Sequence, residues 1–125
     1  MARFLSDAWI ADLDEAGRLG DVSPGLRLTL QQIVVDETGS ETAYVIRIAD
    51  GQIRVEPGRH PAPDVTLTQD RATAASVARA EMSAQTAFMS GRLRVGGDLS
   101  GAIEHAQALA AMVDVFAAAR SSTTW

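Results

Sequence analysis

The chain has 125 residues, 46% apolar and 22% charged, with a formal net charge of -5, two histidines and no cysteine. That is the composition of a globular domain able to bury about two thirds of its surface. It excludes disulfides, thiolate chemistry and cysteine metal sites, and no apolar run approaches the roughly 20 residues that cross a bilayer.

The first predicted element is an amphipathic helix from Leu5 to Ala16, with Leu5, Trp9, Leu13 and Ala16 on one face and Asp7, Asp14 and Glu15 off it. Gly17 and Gly20 are expected to stop it. From Leu26 the period becomes two, with Leu26, Leu28 and Leu30 alternating against Arg27, Thr29 and Gln31. The phase slips at Gln31 and Gln32 before Ile33, Val34 and Val35, which reads as a bulge or as a fully buried strand end. After a turn at Thr38 to Ser40, a second strand runs from Tyr44 to Ala49, and Asp50-Gly51 is a favoured two-residue hairpin turn. Ile53 and Val55 mark the third strand of a β-meander.

Three prolines between Pro57 and Pro63 cannot continue a ladder, so this segment is a crossing loop. Val65 and Leu67 alternate with Thr66 and Thr68 in a fourth strand, and Asp70 caps an alanine-rich helix from Arg71 to Glu81. Ser83 caps a short helix ending at Phe88 to Ser90, closed by Gly91. Leu93 and Val95 make the fifth strand, Gly96 and Gly97 break it, and Asp98 caps a final helical stretch. In that stretch Ile103, Ala106, Ala110 and Val113 share one face, while Leu109, Met112 and Phe116 occupy another. A surface helix keeps one polar side, so this one must be covered twice, by the sheet and by a ligand, a partner chain or another helix.

The segment D-V-T-L-T-Q-D from Asp64, then A-F-M-S-G from Ala87 and R-L-R-V-G-G-D-L from Arg92, resembles the sterol carrier protein 2 family, which has an aspartate-led strand, an "AFM-x-G" helix end and a "GD-L" helix start. Gly96 departs from the family's more usual charged or polar residue, and nothing before Leu26 carries a signature. The resemblance implies an α+β fold over a single domain, residues 1–125: a five-stranded sheet with helices packed on one face. It also implies an apolar tunnel between the sheet and the C-terminal helices that takes a fatty acid, acyl-CoA or sterol-like lipid. Phe88 and Met89 come from the motif, and Val77, Met82, Leu99, Ile103, Met112 and Phe116 join them by pattern as candidate ligand-binding residues, with core packing as the competing role for each. An empty tunnel of about 400 Å³ would cost roughly 10 kcal/mol, comparable with a whole domain's stability. Lipid, collapsed helices or another chain must therefore fill it.

Catalytic readings are weak. His60 and His105 belong to no zinc-helix motif, the serine of Gly97-Asp98-Leu99-Ser100-Gly101 is one place late for a nucleophile elbow, and Asp12, Asp14 and Glu15 read as a solvated helix face. No catalysis, cofactor or metal is expected. The 11 basic residues, all arginine, form no stripe, so nucleic acid is excluded as a partner; the acidity also disfavours anionic membranes, and no stable membrane insertion is expected. Without a targeting signal the expected location is cytoplasmic. Two functions remain: a lipid-binding carrier without chemistry, or an accessory module whose apolar groove docks a partner chain or forms a homodimer through the C-terminal helix.

Overall fold

The computed structural model describes residues 2–18, 27–82, 84–97 and 123–125. Their elements are β1 (Ala2–Arg3), α1 (Asp7–Arg18), β2 (Leu28–Val35), β3 (Glu41–Ala49), β4 (Gln52–Pro57), β5 (Val65–Asp70), α2 (Arg71–Ala78), α3 (Ala84–Met89), β6 (Leu93–Gly97) and β7 (Thr123–Thr124). Five strands form a sheet in the order β4-β3-β2-β5-β6, in which only β2 and β5 are parallel. The expected meander, crossover and fifth strand are all present, and the fifth strand lies at the sheet's edge.

The meander closes where the turn residues require it: Asp50 and Gly51 both take positive φ, 53° and 77°, as the tight hairpin demands. Beyond β4, the loop crosses the sheet on the side away from the helices, and the His60 N–H donates to Gln31 Oε1 at 2.9 Å. His60 is only partly exposed, and its ring Nδ1 accepts from the Ala62 N–H at 3.0 Å. The loop thus turns back on itself as it covers the central strand.

Asp64 then fastens the crossover. Its N–H donates to the Thr29 carbonyl at 2.9 Å, and its carboxylate accepts the Thr29 N–H at 2.8 Å, so one residue holds both polar groups of one peptide position on β2. The parallel register that follows pairs Leu30 with Val65 and Val35 with Asp70. At the far side Gly97, at φ 101°, leans against the Asp64 carbonyl, where a Cβ would overlap the backbone. Two residues singled out by sequence therefore meet at one junction.

Several boundaries differ from the sequence reading. Leu5 has φ 67° and lies outside α1; the helix starts at Asp7, with the Ser6 hydroxyl accepting the Trp9 N–H at 3.2 Å. Gly17 does not stop α1 but lies within it, because the helix sits so close to β4 that a Cβ there would come 2.5 Å from the Ile53 carbonyl oxygen. No bulge interrupts β2, whose pairing with β3 is continuous from Leu28 to Val35. Both glutamines are buried because β2 is central and covered on both faces. The helix expected to reach Glu81 ends at Ala78, with the Arg79 N–H closing onto the Ala75 carbonyl and Ala80 at φ 62°. Asp70 does cap it, accepting the Thr73 N–H at 2.6 Å. Gly96 and Gly97 belong to β6 rather than breaking it, while Ser83 and Asp98 lie outside the described residues.

An arrangement with no sequence forecast ties the two ends of the chain together. β1 pairs in parallel with β7, and a line of rings runs from Trp125 to Phe4 to Trp9 to Tyr44 at centroid spacings of 5.0, 4.9 and 5.6 Å. Each such pair contributes about 0.5–1.5 kcal/mol beyond its buried area. Arg71 lies over Phe4 and donates to the Trp125 carbonyl, and Arg79 lies over the Trp125 ring.

Gly17→Ala is expected to lower unfolding stability by about 1–3 kcal/mol through overpacking, although alanine is about 1 kcal/mol the better helix former. Urea denaturation reads the difference. An unchanged or higher midpoint would show that α1 is not seated against β4.

Candidate functional site

Alternation along the strands divides the sheet into two surfaces. Leu28, Leu30 and Val34 of β2 share one face with Tyr44, Ile46 and Ile48 of β3 and with Ile53 and Val55 of β4, and this face joins the buried cluster containing Trp9 and Leu13 of α1 and Ala74 and Ala78 of α2. The helices lie on it. The register carries the same face onto Val65, Leu67 and Gln69 of β5, then Leu93, Val95 and Gly97 of β6.

The two halves of this face are finished differently. Under α1 the packing is complete: Leu28, Leu30, Ile46, Ile48 and Ile53 are all essentially inaccessible. α1 also closes the outer edge of β4, since Asp14 accepts the Val55 N–H at 2.8 Å and the Arg54 Nε at 2.9 Å. Asp14 is thus a partly buried edge clamp and not the solvated carboxylate expected from the sequence. It supplies the acceptor that a lone sheet edge lacks. On the other half Val65, Leu67 and Val95 are only partly buried, although they point toward the helices.

A cluster of amide and hydroxyl groups interrupts the apolar face. Gln69 Nε2 donates to Gln32 Oε1 at 3.0 Å between adjacent strands, and Tyr44 stands directly opposite Gln32 on β3. All three side chains are buried, at 5% exposure for Gln32, 9% for Gln69 and 3% for Tyr44. Burial pushes the Tyr44 phenol well above its ordinary value, keeping it a neutral donor. Sequence reasoning missed this cluster. The tandem glutamines were a signal, but they read as a phase slip in the strand.

The residues predicted to hold a ligand are scattered over the described structure. Val77 on α2 and Met82 just beyond it are partly buried. Phe88 and Met89, at the end of α3, are 51% and 78% exposed. They sit above the turn at Gly91, where the Arg92 N–H bonds back to the Ala87 carbonyl. Leu99, Ile103, Met112 and Phe116 lie outside the described residues. Among the described residues no group of acidic residues or histidines has the spacing of a metal site, and no helix is long and apolar enough to cross a membrane.

Comparison with known proteins gives one family and one fold. The sequence profile of the SCP-2 sterol transfer family matches residues 12–111. No curated protein matches the sequence significantly. Among solved structures, the chain is similar to a conserved hypothetical protein from Thermus thermophilus, with a TM-score of 0.75 at 17% identity, covering 98% of this chain and 91% of that one. It is similar also to sterol carrier protein 2, with a TM-score of 0.73 at 17% identity over 94% and 97% of the two chains. A palmitated sterol carrier protein 2 like 2 from Aedes aegypti superposes with a TM-score of 0.56 at 18% identity, covering 86% of each chain.

Phe88→Ala and Met89→Ala are each expected to change unfolding free energy by less than about 1 kcal/mol, whereas Leu93→Ala, at a buried position, should cost about 2–5 kcal/mol. Phe88→Ala should nonetheless weaken binding of a fluorescent acyl probe. Unchanged probe affinity would remove Phe88 from the binding surface.

Proposed function

The chain belongs to the SCP-2 sterol transfer family, and from that membership we propose that it is a lipid-binding carrier, holding an apolar ligand between the sheet and its helices without chemistry. The observation that carries this reading is the unequal finish of the helix-facing surface. Across β2, β5 and β6 it presents Leu30, Val34, Val65, Leu67, Leu93 and Val95 without a charged side chain, and its outer part is incompletely buried. At about 0.8 kcal/mol per buried methylene, a 15-methylene chain there gains roughly 12 kcal/mol before ordering and association costs. Micromolar affinity then needs no charged contact. The Aedes aegypti protein of the same fold in its palmitated form supports an acyl chain as one occupant.

A second reading rests on the exposed pair Phe88 and Met89. In it, this end of α3 docks a protein chain, and the domain serves as an interaction module.

Solvent extraction of the purified protein followed by mass spectrometry should recover a lipid near one per chain. Stripping that lipid should lower the melting temperature by about 10 °C, as expected for a ligand held at about 100 times its Kd. A lipid-free, tightly dimeric protein whose acyl-probe titration stays flat would overturn the carrier in favour of the interaction module.

A further inference from the structure

The glutamine pair is out of character with its surroundings. Gln32 and Gln69 occupy interior positions on adjacent strands of the helix-facing surface, beside Val34, Leu67 and Leu93. Their mutual hydrogen bond uses one donor and one acceptor and leaves the rest of two amides to be satisfied. Among the described residues neither side chain makes another hydrogen bond, and the Tyr44 hydroxyl makes none, its ring meeting Trp9 edge to face. Yet among the described residues no side-chain polar atom is both shut away from open space and unbonded. The free atoms of these three residues, whose side chains lie on the interior side of the sheet, therefore keep some accessible surface. A largely buried amide without its full set of partners costs free energy until one arrives.

We propose that Gln32 and Gln69, with the Tyr44 hydroxyl beside them, form a neutral hydrogen-bonding seat for the polar end of the bound ligand, and that this seat selects an alcohol over a carboxylate. The proposal rests on the carrier reading above and deepens it. The free groups include both donors, on Gln32 Nε2 and Tyr44 Oη, and an acceptor, Gln69 Oε1. A hydroxyl both accepts and donates, so it answers the whole set. A carboxylate only accepts, and it would bring a charge onto a surface with no cation of its own among the described residues. Arg3, Asp36 and Arg71 line a cleft beside Val34 and Thr42 that includes none of Gln32, Gln69 and Tyr44, and Arg71 is already engaged there by Phe4 and the Trp125 carbonyl.

The test uses the full delipidated chain and three probes of equal length, 1-dodecanol, dodecanoate and dodecane, each displacing Nile red at pH 8. The wild type should bind dodecanol about tenfold more tightly than dodecanoate, and the Gln32→Leu, Gln69→Leu double variant should lose about tenfold for dodecanol while dodecane affinity stays within about twofold. Tyr44→Phe keeps the ring against Trp9 and should lose about threefold for dodecanol, a check that does not depend on the double variant folding. Preference for dodecanoate, or dodecanol affinity unchanged in the variants, overturns the seat; dodecane binding in that case leaves the carrier standing. Failure of all three probes to displace Nile red overturns both.

Discussion

The continuous helix-facing surface of the sheet depends on Asp64 holding β5 against β2. A parallel pair cannot be closed by a tight turn, so the chain leaves β4 through a proline-rich loop and must be caught on the other side. Asp64 catches it with two hydrogen bonds to Thr29, one from its backbone and one to its carboxylate. A bond to a charged acceptor is worth about 1.5–3 kcal/mol, enough to fix one register against its neighbours. A slip by one residue would send Val65 and Leu67 to the face away from the helices. Gly97 lets β6 close over the same junction. The interior surface is continuous from β4 to β6 because this seam holds.

With the register fixed, division of labour follows from where the helices sit. α1 presses so closely on β4 that it needs a glycine at position 17 and uses Asp14 to satisfy the strand's edge. Trp9 and Leu13 then fill the near half of the sheet, and Phe4 links Trp9 to Trp125, which lies beside Arg71 and Arg79 of the α2 segment. This half has no room to give. α2 lies on the other side with alanines at its buried positions, Ala74 and Ala78, and leaves the larger side chains of β5 and β6 incompletely covered. One half of the domain is fully packed, and the other presents partly buried apolar surface.

Local chemistry was legible in the sequence, and distant contact was not. The Asp50-Gly51 turn, the Asp70 cap and the Gly91 helix end follow from backbone geometry that neighbouring residues determine, and each is found where the pattern puts it. The family resemblance extended that reading to the order of elements and the five-stranded sheet. Gly17 and Asp14 were misread because their roles are set by β4, roughly forty positions away in the chain. Gln31 and Gln32 looked like an error of phase because a strand covered on both faces can bury consecutive polar residues, one bonded to the crossing loop and one to β5. The β1–β7 pairing left no local signal, since two-residue strands carry no periodicity. Phe88 and Met89 were legible as motif residues, but their exposure depends on how α3 meets β6.

We propose that an apolar ligand lies on the helix-facing side of β2, β5 and β6. The most direct measurement is an isotope-edited NMR experiment on the delipidated protein loaded with unlabelled 1-dodecanol. Nuclear Overhauser effects from the ligand chain should reach the methyl groups of Leu67, Leu93 and Val95, while Thr66 and Thr68 on the opposite face show none. Contacts confined to Phe88 and Met89, or to the threonine face, would place the ligand elsewhere and overturn this reading.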